Sequence, residues 1–151
     1  MGLQWPVRLA PYDPGREAEL VAMWREAFEY GVGIVDPNPI EGQRAYLMEH
    51  VLPEHDVTVA LEGERLVGFV ASNAESVGQL HVRVGCHGQG IGRALLQRAM
   101  AASAGSLWLY TFARNERARR FYERNGFVAV AFGYEPTWRL DDVRYEWRRG
   151  P

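Results

Sequence analysis

The sequence contains no lysine; arginine supplies all 17 of its Lys and Arg positions. That absence removes the Gly-Lys-Ser/Thr of a Walker phosphate loop and excludes a nucleotide site of that type. Cysteine is nearly missing as well. Cys86 stands alone, so no internal disulfide can form and a reducing compartment fits. No apolar run is long enough to cross a bilayer. The first residues lack the basic segment and apolar run of a secretory leader. Neither sign of charge dominates. The formal net charge of -2 gives no basic field for nucleic acid. A cytoplasmic chain is expected, with no metal and with neither nucleic acid nor membrane as a partner.

The sequence has 151 residues, 47% of them apolar and 24% charged, enough for one domain with a real core. A short strand is expected over residues 5–9, ended by Pro11 and the turn Asp13-Pro14-Gly15. Leu20, Met23, Trp24, Ala27 and Phe28 recur at helical spacing in residues 17–30, and Gly31 and Gly33 stop that helix. Residues 40–52 read as a second helix closed by Pro53. Residues 57–61 and 66–72 form a hairpin around Glu62-Gly63-Glu64-Arg65. A further strand covers 77–84, a largely buried helix 91–102, and a strand apolar enough to be covered on both faces 107–112. This strand–helix–strand order makes a right-handed crossover with parallel strands. A helix capped by Asn115 runs to about Arg124 and ends at Asn125-Gly126. Final strands cover 127–132 and 143–147, around a loop from Gly133 to Asp142.

The stretch Gln79 to Arg98 organises the chain. A strand with alternating Leu80, Val82 and Val84 runs into Gly88, Gly90 and Gly92, and a helix starts at once. Residues without a Cβ turn sharply and let a ligand approach the amides. The first helical turn has N–H groups without intrahelical partners, at the positive end of the helix dipole. Such amides hold a phosphate or pyrophosphate. The spacing is not the G-x-G-x-x-G of a dinucleotide site, and no acidic residue follows as a ribose ligand. From spacing alone, a tight turn without a ligand remains the other reading.

A second motif follows the next strand: Asn115, Ala118, Phe121, Tyr122, Gly126 and Phe127 in the order Asn-x-x-Ala-x-x-Phe-Tyr-x-x-x-Gly-Phe. With residues 80–96, it resembles the GNAT acyltransferase superfamily. The resemblance implies a single α/β (α+β) domain with a mixed central sheet of six to seven strands and about four helices. It implies acetyl-CoA as cofactor, its pyrophosphate on the amides of His87, Gly88, Gln89, Gly90, Ile91, Gly92 and Arg93. Its pantetheine arm would pair with the main chain near Val82 and Val84, where strands 77–84 and 107–112 splay. Asn115 matches a position that contacts the arm, and also serves as a plain helix cap. His87 stands where the family usually carries Arg or Gln.

The resemblance also assigns chemistry. Transfer to an amine expels the CoA thiolate, a thiol of pKa ~8.5, and a tyrosine of pKa ~10 can protonate it as general acid. Tyr122 matches that tyrosine; by periodicity alone it reads as a core aromatic. The family's usual base position falls on a strand that offers Gln79, which cannot act as base, and His81, which can. A backbone N–H near Val82 would polarise the carbonyl. Phe28, Tyr30, Asp36 and Trp138 are candidates for the acceptor side, where aromatics and a carboxylate suit a small cationic amine. The expected activity is acetyl transfer to a small primary amine by direct transfer in a ternary complex. A protein or peptide acetyltransferase and a non-catalytic acyl-CoA sensor are the alternatives, and a homodimer is one expected form. A long loop before Val143 counts against a protein acceptor.

Overall fold

Two antiparallel sheets carry the chain in the computed structural model, which describes residues 7–151. The first has the order β1 (Val7–Pro11), β2 (Asp56–Glu62), β3 (Arg65–Ser72), β4 (Val77–Val82). The second has the order β5 (Ser106–Phe112), β7 (Leu140–Arg148), β6 (Val128–Glu135). Strands β4 and β5 run parallel where the sheets meet, joined by one bridge, Ser76 to Trp108. Of the expected six to seven strands, seven are present among the described residues, divided between two sheets. Trp5, expected in the first strand, lies outside the described residues.

Helix α1 (Glu17–Val32) and the helical run 40–54 cover one face of the first sheet. Leu20, Trp24, Leu47 and Phe69 bury the contact between them. Helix α4 (Ile91–Ala102) covers the opposite face, and α5 (Glu116–Arg124) packs on the second sheet. Ile91, Leu95, Leu109 and Tyr145 are fully buried there. A fully buried side chain of this size contributes about 1.5–3 kcal/mol of transfer free energy. No helix among the described residues is long and apolar enough to cross a membrane.

Several boundaries differ from expectation, each for a local reason. Gly31 does not stop α1; Gly33 does, at φ 78°, with its N–H on the Glu29 carbonyl. Pro53 does not close the second helix. That helix is α2 (Ile40–Tyr46), then a π-helical turn (Leu47–Val51), then α3 (Leu52–Glu54), which contains Pro53. The Leu52 N–H reaches back five residues to the Leu47 carbonyl. Proline is tolerated in the opening turn of the segment that follows, where a missing N–H costs least. Val84 leaves the strand, because the chain turns as the Cys86 N–H bonds the Arg83 carbonyl.

Strand β5 is covered on one face only. Leu107 and Leu109 are buried, while Trp108 and Tyr110 point outward beneath the Arg144 guanidinium. The long loop expected over 133–142 is mostly ladder. Gly133 pairs with Asp142, Tyr134 with Asp141 and Glu135 with Leu140, leaving a turn of residues 136–139. The Glu135 carboxylate ties that turn by accepting from the Trp138 N–H at 2.6 Å.

Candidate active site

Strand β4 pairs with β3 along one edge. Among the described residues its other edge meets β5 only at the base, where the Trp108 N–H bonds the Glu75 carbonyl at 3.0 Å. Beyond that point the sheets separate and a cleft of about 360 Å³ opens. Leu80, His81 and Val82 of β4 form one wall, and α5 forms the other.

The glycine loop forms the cleft's mouth. Gly88 and Gly90 both sit at φ 82°, a conformation costly for residues with a Cβ. Gly90 is the N-cap of α4, and the first intrahelical bond runs from the Ala94 N–H to its carbonyl. The amides of Ile91, Gly92 and Arg93 therefore lack intrahelical acceptors. A Cβ at Gly92 would come within 3.3 Å of the Phe121 ring, so a bare backbone lets α4 and α5 approach.

One face of α5 lines the opposite wall. Asn115, Ala118, Phe121, Tyr122 and Asn125 recur at helical spacing, with Arg117 and Arg124 beside them. The Asn115 side chain caps the helix by accepting from the Ala118 N–H at 3.1 Å. Gly31 of α1 makes room for it, since a Cβ there would lie 2.8 Å from the Asn115 amide nitrogen. Arg93, Arg117 and Arg124 all reach the cleft, and no carboxylate is among its lining residues. Bare amides and three arginines, with no acid among the described lining residues, form a set suited to a polyanion.

Tyr122 is buried among Phe121, Phe127 and Tyr145, with ring centroids 5.3–6.1 Å away. Burial pushes its phenol above the ordinary value, so it stays protonated. Neighbouring Tyr145 is committed elsewhere: its hydroxyl donates to Glu123 at 2.6 Å and accepts from Arg119 at 3.1 Å. Among the described residues the Tyr122 hydroxyl makes no such pair.

His81 also lines the cleft. Its Nε2 lies 2.9 Å from the Gln79 side-chain oxygen, which only accepts, so Nε2 carries the proton and Nδ1 the lone pair. Burial beside Trp24 and Phe69 pushes the imidazole down to about 4. His87 stacks on Tyr30 with centroids 6.0 Å apart, and the Arg117 guanidinium lies 5.7 Å from the same ring. Burial, and then Arg117, lower the His87 imidazole.

The structure thus gathers Val82, His87, Gly88, Gly90, Ile91, Gly92, Arg93 and Asn115 with His81 and Tyr122. Val84 and Gln89 are not among the lining residues. Tyr30 joins the cleft, stacked on His87. Phe28 and Trp138 meet at 5.0 Å beside Phe112, at the C-terminal end of β5. Asp36 holds its own loop, accepting from Asn38 and facing Arg25 at 3.8 Å. Arg117 and Arg124 were missed, although their i, i+7 spacing around Phe121 marked the face in advance.

A bare helix mouth and three arginines on a cleft between β4 and α5 define a class: a protein shaped to hold an extended, phosphate-bearing ligand. The model of the acetyltransferase (GNAT) domain matches residues 53–129. A peptidyl-lysine N-acetyltransferase, YjaB of Salmonella typhimurium, is 27% identical over 122 residues, covering 80% of this chain and 81% of that one. The PaiA N-acetyltransferase of Thermoplasma acidophilum, solved with coenzyme A, superposes with TM-score 0.74 at 17% identity, covering 94% of this chain and 98% of that one. The yncA acetyltransferase of Salmonella typhimurium, solved with acetyl-CoA, gives 0.73 at 15% identity, covering 95% and 94%. The chain belongs to the GNAT acetyltransferase family and is an acyl-CoA-dependent acetyltransferase with acetyl-CoA as its cofactor.

Proposed function

We propose that the protein moves the acetyl group of acetyl-CoA directly onto a primary amine of a small molecule, in a ternary complex. One observation carries this reading: the free helix-mouth amides and the buried Tyr122 phenol line the same cleft beside the unpaired edge of β4. The amides from Gly88 to Arg93 hold the pyrophosphate, with Arg93, Arg117 and Arg124 adding charge. The free edge of β4 near Val82 accepts the pantetheine arm as an added strand. Bound acetyl-CoA supplies the acetyl group as an activated thioester. A β4 amide polarises its carbonyl. The amine nitrogen attacks the carbonyl carbon, and the carbon–sulfur bond breaks. Tyr122 gives its proton to the departing sulfur and regains one from solvent. Burial raises the phenol above its ordinary value, so Tyr122 enters the step protonated. His81 Nδ1 takes the amine proton and passes it to water, since an imidazole held near 4 does not store it.

The Phe28–Phe112–Trp138 cluster ties α1 to the β6–β7 hairpin at the end of β5, and an aromatic wall there suits a small cationic acceptor. A peptide or protein lysine is the second reading. It is favoured by the short 136–139 turn, which replaces the long loop that counted against it, and by the peptidyl-lysine activity in the name of the YjaB relative. CoA release measured against small amines, amino acids, aminoglycosides and lysine peptides separates the readings. Turnover confined to peptides overturns the small-molecule assignment. Coenzyme A affinity without turnover on the whole panel leaves the sensor.

A further inference from the structure

Helix α5 carries Tyr122 on one wall of the cleft, and β4 forms the other. Among the described residues the two sheets are joined by one bridge, Ser76 to Trp108, so no continuous sheet fixes the distance between those walls. That distance depends on how α5 is held to the second sheet. Among the described residues, the side-chain hydrogen bonds from α5 to that sheet all end on one atom, the hydroxyl oxygen of Tyr145. The hydroxyl donates to Glu123 Oε2 at 2.6 Å and accepts from Arg119 Nε at 3.1 Å. Arg119 and Glu123 stand at i and i+4, one helical turn apart, and Tyr122 belongs to the turn between them. The Tyr145 ring itself packs on the Tyr122 ring, with centroids 6.1 Å apart.

We infer that Tyr145 is a positioning residue for the transfer: its hydroxyl, held between Arg119 and Glu123, fixes the turn of α5 that aims the Tyr122 phenol into the cleft. A phenylalanine would fill the same fully buried space, so packing alone does not call for the hydroxyl. Tyr145 lies on β7, the central strand, laddered to Leu109 on one side and Ala129 on the other, which makes it a fixed reference for the helix. Hydrogen bonds to ionised partners are also shorter and stronger than neutral ones. The Tyr122 hydroxyl, by contrast, has no hydrogen-bond partner among the described residues, so its ring contacts and its helix set its direction. The inference rests on Tyr122 as the acid of the proposed transfer.

Acetyl-CoA kinetics with the panel amine that the parent turns over fastest test it, in a cycle of Tyr122→Phe, Tyr145→Phe and the double variant. Tyr145→Phe should lower kcat about 10- to 100-fold, since a displacement of ~1 Å costs about 100-fold, and leave KM for acetyl-CoA within about twofold. Added to Tyr122→Phe, it should lower kcat no further, because the group it aims is gone. Glu123→Ala, at an exposed helix position, should reproduce the loss, and Glu123→Gln, which keeps an acceptor oxygen, should restore the rate. Should Tyr145→Phe not fold, the Glu123 pair carries the test. NMR of isotope-labelled tyrosine in the protein without cofactor reads the geometry itself. The Tyr122 resonance, identified by its loss in Tyr122→Phe, should move in Tyr145→Phe while circular dichroism stays native. A parent-like kcat in Tyr145→Phe, an equal loss in both backgrounds, or a Tyr122 resonance that stays in place overturns the inference. If Tyr122→Phe keeps the parent kcat, the acid reading falls and the positioning role with it; a loss in Tyr122→Phe but none in Tyr145→Phe removes the positioning role alone.

Discussion

Acid should destabilise this protein through His81. In the folded chain, burial beside Trp24 and Phe69 holds the imidazole at about 4; the ordinary value is 6.5. An unfolded chain accepts a proton near 6.5, and the folded one refuses it. A basic group depressed on folding stabilises the neutral, folded form fully above the unfolded value. That contribution is lost as pH falls from about 6.5 to about 4. The two values lie about 2.5 apart, and each pH unit is worth ~1.36 kcal/mol, so the loss is about 3 kcal/mol. Urea unfolding of the parent and of His81→Gln between pH 7 and pH 4 measures it. Carboxylates titrate in both proteins, so their difference isolates the imidazole. The parent's advantage over the variant should shrink by about 3 kcal/mol across that range. Imidazole resonances in NMR should place the folded midpoint near 4. A midpoint between 6 and 7, or a difference that does not change with pH, refutes the burial argument and restores His81 as an ordinary base.

Tyr122→Phe keeps the ring contacts and removes only the phenol; kcat should fall roughly 10²–10⁴-fold with KM for acetyl-CoA unchanged. An unchanged kcat in steady-state CoA-release kinetics removes the acid role. Gly90→Val forces a β-branched residue into the left-handed region and crowds the helix mouth, so coenzyme A should give no calorimetric heat while circular dichroism stays native. Arg117→Ala together with Arg124→Ala should raise KM for acetyl-CoA and flatten its salt dependence, with kcat within about twofold, because these cations add charge without touching the reacting atoms. Gly31→Val pushes into the Asn115 amide and displaces its cap on Ala118, so thermal unfolding should show a loss of about 1 kcal/mol.

Local chemistry fixed much of this protein in advance. Gly88, Gly90 and the apolar stripe of α4 turn the chain sharply into a buried helix, so the turn and the free amides at the helix mouth were legible from residues 80–96. Asn115 as cap, and the spacing of Phe121 and Tyr122, likewise needed no more than helix periodicity and the resemblance that the two motifs carry. What depends on partners far along the chain was not legible. Leu107 to Phe112 has one composition whether covered on one face or two, and only its pairing with β7, under the Arg144 guanidinium, left Trp108 and Tyr110 outside. The run from Gly133 to Asp142 is polar enough for a loop, yet the ladder between β6 and β7 captures most of it. Tyr30 and Asp36 are close in sequence, but the packing of α1 on the glycine loop sends one to His87 and the other to Arg25. Sequence sets the conformations a short segment can adopt; which faces are covered, and which groups meet, is decided by long-range packing that no local pattern encodes.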